Sequence, residues 1–403
     1  MSQSFQSPEM QHLQDLEHGL SYQLMRPLQF EVIKQGVAFP FKEDNTGQLS
    51  AGIMREDKTF CDLAKTKRIS PRNFDVWLDD WFVDPLHSLN LDAIPFVNKD
   101  VIFLGALPDH YGHFITEGIS RLWPYLDKEK KNLSSIYFSE NNHPPFVEFL
   151  NLFGLQNSQI NRVDTPLRFK SILVPEQSIR LHDFYHESYN ESIEKILDNI
   201  DSIQPEKIFL SKKAAKYLNG KSIGENSIEK IFSDNNYTII YPETLSIREF
   251  LSTMKSASSV TALSGSSAHN AIFMKKKSSL ICMNRSNHHH PLQIMINEMR
   301  QLNVTYVDVF LNFFKVNFGN GPFNIIISKY FIDFAHAFDL SIGSKSKIFF
   351  KTSISTIQYL IYATFLGKLL YYLGLIANKK KKILIFISFL FLFMLLNFLI
   401  RIK

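Results

Sequence analysis

The chain holds two cysteines in 403 residues, Cys61 and Cys282, far apart in sequence. That excludes a disulfide framework and points to a reducing compartment. No Cys/His spacing resembles a zinc site. There is no Gly-x-Ser-x-Gly elbow, so Ser266 or Ser267 has little case as a hydrolase nucleophile. The first twenty residues, MSQSFQSPEMQHLQDLEHGL, have no basic start followed by an apolar run, which argues against a secretory signal in that stretch. Strong charge is missing too. Charged residues make up 21% of the chain and the net charge is +5, with much of the excess in Lys275–Lys277 and Lys379–Lys382. So local an excess does not describe a nucleic-acid-binding domain.

What is present is a folded composition, 45% hydrophobic, and enough length for two ordinary domains and a tail. The tail is Ile383–Ile400, ILIFISFLFLFMLLNFLI, 18 residues without a charge. As a helix it would span roughly 27 Å, close to the hydrocarbon thickness of a bilayer. Lys379–Lys382 upstream predict a single-pass anchor at 383–400 with the folded part on the cytoplasmic side. Ile357–Ile376 is also apolar but contains Lys368 and several tyrosines. It reads either as interfacial or as membrane-embedded, within a helical segment at 346–382.

Residues 1–28 read as a polar, helical, peripheral element. Short strands and loops are expected from Phe30 to about Phe96. Asp79-Asp80, between two tryptophans, has no third carboxylate nearby and reads as a solvated turn rather than a metal motif. From Val101 the pattern becomes strand–helix alternation: VIFLGAL, a helix over Gly112–Leu126, strands at Ser135–Ser139, Ile160–Val163 and Ser171–Val174, helices at Pro145–Gly154 and Ser188–Ile200. A polar break at Asp201–Glu206 precedes a second such run. It comprises strands Ile208–Ser211, Tyr237–Tyr241, Ser259–Leu263 and Ser279–Met283, with capping boxes at Asn226–Glu229 and Ser246–Glu249. Alternation of this kind implies α/β domains in series, at 29–204 and 205–345, each with a parallel sheet covered on both faces. A cleft between them is the natural substrate site.

Two stretches could carry chemistry there. In SVTALSGSSAHNAIFM a buried strand turns through Ser264-Gly265-Ser266-Ser267 into a helix start. Outward backbone N–H groups at such a turn, with the helix dipole behind them, suit a phosphate or diphosphate. His269 and Asn270 stand at that helix start, and Lys212 and Lys213 follow the strand IFLS, where a lysine can offset phosphate charge. In HYGHFITEGISRLWPYL, His113, Glu117 and Arg121 are spaced i, i+4 and i+8. They read either as a His–Glu pair taking a hydroxyl proton, with Arg121 fixing the carboxylate, or as an exposed ion ladder. His288-His289-His290 reads as a loop, because consecutive residues rarely converge on one ion.

Together these stretches resemble glycosyltransferase family 61, whose bacterial members often belong to capsular polysaccharide synthesis. GHFITEGISRL matches its His, acidic residue, Arg and Leu pattern through His113, Glu117, Arg121 and Leu122. IFLSKKAAKYL matches its strand ending in Ser-Arg, with Lys212 in place of the arginine. LSGSSAHNAIFMKKKSSLICM matches its Gly-rich turn, Asn and following strand. Ser120 stands where a proline is common, and one glycine of the turn is a serine. The resemblance covers roughly residues 100–285. It implies two facing Rossmann-like domains (GT-B), an inverting mechanism, no obligatory metal or other cofactor, a base in the first domain and a nucleotide-sugar in the second.

The resulting expectation is a membrane-attached inverting glycosyltransferase that moves a sugar from a nucleotide-sugar to a glycan or lipid-linked glycan acceptor. Glu117 and His113 are its catalytic residues. Arg121, Lys212, Lys213, Gly265, Ser266, Ser267, His269 and Asn270 are its binding residues. Two rivals are a non-catalytic, membrane-anchored scaffold that binds a glycan or nucleotide, and a nucleotide-sugar epimerase on the same fold.

Overall fold

A computed structural model of the chain describes residues 3–18, 21–43, 49–69, 76–78, 90–107, 110–139, 147–202, 205–212, 222–313 and 321–363. The expected anchor at 383–400, residues 364–382, Asp79-Asp80 and Lys213 lie outside these. Among the described residues no helix is long and apolar enough to cross a membrane. The helix Lys345–Ala363 covers only the start of the apolar stretch read at 357–376.

The second half builds the simpler sheet. Its own strands, in chain order, are Lys207–Leu210, Thr238–Ile240, Ser259–Leu263, Ser279–Asn284 and Asn303–Asp308. All neighbours pair in parallel, in the spatial order 2-1-3-4-5. The order reverses between Lys207–Leu210 and Ser259–Leu263, where ligands bind in doubly wound sheets. Leu210, Ala262, Leu263, Leu280 and Met283 are buried, as continuous apolar strands covered on two faces require.

The N-terminus departs from expectation. Gln3–Phe5 is a strand that pairs in parallel with Asn303–Asp308 and so extends the second sheet; of the helical element read over 1–28, the helix found is Pro8–His18. The main-chain N–H of Ser7 donates to Asp308 Oδ2 at 2.8 Å. The strand at Gln3–Phe5 is therefore docked on the second half, whereas Leu24 N donates to Tyr185 O and Arg26 pairs with Glu176 in the first. A three-residue strand cannot be recognised by periodicity, and its polar residues are tolerated because it forms an edge.

The first half makes a seven-stranded mixed sheet. Phe96–Ala106, Ser134–Phe138, Ile160–Arg162 and Leu167–Pro175 are parallel, with Leu167–Pro175 beside Phe96–Ala106. Phe30–Lys34 and Val37–Glu43 pair antiparallel with Leu167–Pro175, and Leu49–Met54 pairs antiparallel with Val37–Glu43. The expected purely parallel first sheet is thus corrected. Phe30–Lys34 and Val37–Glu43 run in the same direction along successive stretches of Leu167–Pro175, so they form one antiparallel run interrupted at Gln35-Gly36. This sheet also has a reversal point, between Phe96–Ala106 and Leu167–Pro175.

The Ser246–Glu249 capping box forms as read, Ser246 Oγ accepting from Glu249 N at 3.3 Å. The box read at Asn226–Glu229 does not. Gly224, at φ 101°, is the N-cap of Glu225–Asp234, so Asn226 already lies inside the helix. The two halves share one continuous core. Ile102, Leu104 and Phe114 of the first belong to the same cluster as Ala268, Ile272 and Leu280 of the second. The Phe149 and Phe273 rings stack across that seam at 5.7 Å. The helix Glu187–Asp198 ties it further, since buried Arg300 donates to Asn190 Oδ1 at 2.6 Å and to Glu194 Oε1 at 2.5 Å.

Candidate functional site

The first half's contribution starts where Phe96–Ala106 ends. The expected single helix over Gly112–Leu126 is in fact three pieces. Tyr111–His113 is helical, Phe114–Gly118 is a π-turn, and Trp123–Leu126 is a 3-10 turn. The wide turn is closed by Ile119 N donating to Phe114 O at 3.2 Å. Short π segments recur at functional sites because they re-aim side chains. Here the turn preserves the i, i+4 contact: His113 Nδ1 donates to Glu117 Oε2 at 2.7 Å. Glu117 is buried, whereas the His113 side chain keeps 39% of its exposure. The pair is therefore open on its histidine side, which disposes of the exposed-ladder reading.

Arg121 is turned away from that pair. The wide turn and the irregular backbone at Ile119–Leu122 carry it off the His113–Glu117 face. It is fully buried, and its Nε donates to Pro175 O at 3.0 Å. Its Nη2 donates to Leu63 O at 2.9 Å and Lys65 O at 2.8 Å. It makes no ion pair with Glu117. The expectation that Arg121 fixes the carboxylate is corrected: it pins the last carbonyl of the Leu167–Pro175 strand, and those of Leu63 and Lys65, to the segment after the π-turn. Gly105, at φ 92°, makes this possible, because a Cβ there would lie 2.5 Å from Arg121 Nη1. Ser178 N and Oγ both donate to Ser120 O, fastening the same two segments.

The second half's contribution is the turn after Ser259–Leu263. Gly265 adopts φ 102° and ψ −156°, and the chain then winds as Ser266–His269 and Asn270–Phe273. The helix start expected at Ala268–Met274 is one short α turn followed by a 3-10 turn. The first N–H groups of such a turn have no acceptor within it. Lys212 Nζ, from the neighbouring strand end, donates to Ser266 Oγ at 3.2 Å. So Lys212 and the Ser264–Ser267 turn occupy the reversal point of their sheet together. Burial, with Arg285 close by, pushes the Lys212 ammonium down to about 7. Burial likewise pushes Glu225 up to about 7, and Glu225 Oε1 accepts from Lys212 N at 3.0 Å.

His269 is buried, and burial together with the nearby Lys212 and Arg285 holds its imidazole down to about 3. It is a neutral ring packed edge-on against His290 at 4.4 Å. His290 is pushed down for the same first reason, burial. Asn270 is already engaged: its Oδ1 accepts from Tyr111 OH at 2.6 Å and its Nδ2 donates to Ser266 O at 3.2 Å. Asn270 is therefore the brace between the two stretches. A Cβ on Gly112 would lie 3.9 Å from Ser266 Cβ. The His113–Glu117 pair and the Gly265–Ser267 turn thus flank one junction.

Four residues at this junction escape motif reading. His110 packs against His113 at 5.1 Å between centroids, and burial pushes its imidazole down. Tyr111 makes the bridge to Asn270. Glu225 meets Lys212. Arg285 lies against Gly265. Arg285 was discoverable: it follows the end of the next strand over, as Lys212 and Gly265 follow theirs.

The His288–His290 run does not converge on one point. His289 Nε2 faces Met10 O at 3.2 Å, while the His290 ring packs toward His269 and His182. Among the described residues no group of three or more His, Cys, Asp or Glu side chains is placed to hold a metal ion. Cys61 and Cys282 are both buried free thiols.

Residues 111–282 match the family model described as glycosyltransferase 61. The match spans less than half of the chain and contains both the His113–Glu117 pair and the Ser264–Ser267 turn. Over that stretch the chain is similar to the family, and the enzyme class that this similarity implies is glycosyltransferase, with a sugar donor and a glycan acceptor as substrates. No curated protein matches the chain.

Proposed function

We propose that this glycosyltransferase is an inverting enzyme of GT-B arrangement, with a nucleotide-sugar donor. The observation that carries the reading is the meeting of two sheet reversal points, one bearing a carboxylate–imidazole pair and the other a cationic Gly/Ser turn. The donor diphosphate would rest on the backbone N–H groups after Gly265, with the hydroxyls of Ser266 and Ser267 and the ammonium of Lys212. The His113–Glu117 pair would take the acceptor hydroxyl's proton, on its open His113 side, as that oxygen attacks the anomeric carbon. The hydrogen bond between the two residues orients the pair. The bond to the diphosphate breaks as the new one forms, and the amides and cations stabilise the departing charge. His269, neutral and buried, shapes the wall of the turn. Capsular or other surface polysaccharide synthesis, with the apolar run 383–400 holding a cytoplasmic-facing enzyme at a membrane, is the setting that the sequence suggests.

Purified protein offered a panel of nucleotide-sugars should hydrolyse or transfer from at least one of them. Binding of nucleoside diphosphates without sugar release from any donor would favour a scaffold instead. Conversion of the donor with no acceptor would favour an epimerase.

The pH dependence of diphosphate binding has a definite sign. The ligand prefers protonated Lys212, which exists below about 7 in the free site. Glu225 ionises above about 7 and adds negative charge beside the site. Both effects weaken binding as pH rises. Arg285, lowered only to about 10 by burial, stays charged, and His269 stays neutral. The last ionisation of a terminal phosphate lies near ~6, so the comparison belongs above pH 7. Calorimetry from pH 7 to 9 should show affinity falling several-fold, with proton uptake on binding near pH 7. A flat profile would contradict the placement of Lys212.

A further inference from the structure

We propose that Arg285 is the bidentate cation for the donor diphosphate, taking over the role that a lysine at position 212 cannot fill alone. The proposal rests on reading the Ser264–Ser267 turn as an anion cradle. It begins with position. Three adjacent parallel strands, Lys207–Leu210, Ser259–Leu263 and Ser279–Asn284, end side by side, and they deliver Lys212, the turn and Arg285 in that order.

The guanidinium lies on the turn itself. A Cβ on Gly265 would stand 2.5 Å from Arg285 Nη2 and 3.2 Å from its Cζ. Glycine at 265 is thus needed for the backbone conformation and also to let the guanidinium reach the loop. From beneath, the Phe323 ring holds Arg285 Cζ at 4.1 Å from its centroid. The ring fixes the plane of the fork without using any N–H.

The donors of that fork are the decisive feature. Arg285 is 8% exposed, yet its side chain makes no hydrogen bond or ion pair with any described residue. Among the described residues two other arginines are buried, Arg121 and Arg300. Arg121 donates to main-chain carbonyls, and Arg300 donates to Met274 O, Asn190 and Glu194. Both satisfy the rule that a buried charge is paired or hydrogen-bonded. Arg285 does not, and a second cation, Lys212, shares its turn. The neighbouring carboxyl, Glu225, forms no ion pair with it. Two cations held together out of water are costly unless an anion joins them. A planar fork beside a compact ammonium, both over a small-residue turn, suits a ligand with several oxygens and more than one negative charge. A diphosphate fits that description, and arginine meets it in the two-pronged way that lysine cannot.

The test uses the full chain, titrated calorimetrically with inorganic pyrophosphate and with a panel of nucleoside diphosphates. Arg285→Gln keeps polar bulk and removes an unpaired buried charge, so its melting temperature without ligand should be no lower than wild type. Its affinity for pyrophosphate should fall roughly 10- to 100-fold, the range for losing hydrogen bonds to a charged group. Arg285→Lys, which keeps the charge and loses the fork, should fall between the two. A lower melting temperature with unchanged pyrophosphate affinity would make Arg285 structural and overturn the proposal. Wild-type protein that binds neither pyrophosphate nor any nucleoside diphosphate would sink the cradle itself and this proposal with it.

Discussion

Glu117→Gln is expected to lower the rate of sugar transfer by about 100- to 10,000-fold, the usual cost of removing a general base. The substitution is nearly isosteric. The His113 Nδ1–H now donating at 2.7 Å to Glu117 Oε2 can donate to the amide oxygen instead. Glu117 is buried, so replacing its carboxylate by a neutral group should leave stability intact. Nucleoside diphosphate affinity should be unchanged, because the cations that meet the diphosphate, Lys212 and Arg285, lie across the junction. The combination to look for is lost turnover with retained binding and retained melting temperature. Transfer at the wild-type rate would place the base elsewhere, and a parallel loss of binding would mean that the variant had disturbed the turn.

Arg121→Met should act on stability rather than on chemistry. The wild-type guanidinium is fully buried and satisfies the carbonyls of Pro175, Leu63 and Lys65. Removing it strands those acceptors and leaves a gap beside Gly105. Breaking a buried charged network of this kind costs about 3–5 kcal/mol. The melting temperature should drop by several degrees, with any activity loss tracking the unfolded fraction. Arg121→Lys should recover little, since one ammonium cannot span carbonyls on two segments. A variant with wild-type melting and abolished transfer would return Arg121 to the reacting groups.

Much of the second half was legible in the sequence. Ser259–Leu263 was read to the residue, because a short uncharged β-branched run followed by small residues has few alternatives. The Ser246–Glu249 cap is encoded entirely locally and formed as read. Legibility failed where tertiary context decides. Nothing in GHFITEGISRL announces a π-turn, and helical spacing consequently put Arg121 beside Glu117 when the backbone carries it away. The Gln3–Phe5 strand exists only because the edge at Asn303–Asp308 is there to receive it. Asn270 looked like a ligand contact, but its amide is used by Tyr111 and Ser266 O. Arg285 belonged to no motif and was visible only once three strand ends were seen together.

The most direct measurement is a crystal structure of the full chain with a bound nucleoside diphosphate. The account predicts its phosphates on the backbone after Gly265, contacted by Lys212 and Arg285, with the terminal phosphate facing the side of the junction that holds Glu117 and His113. Phosphates bound at any other surface, or at this turn but pointing away from Glu117, would contradict it.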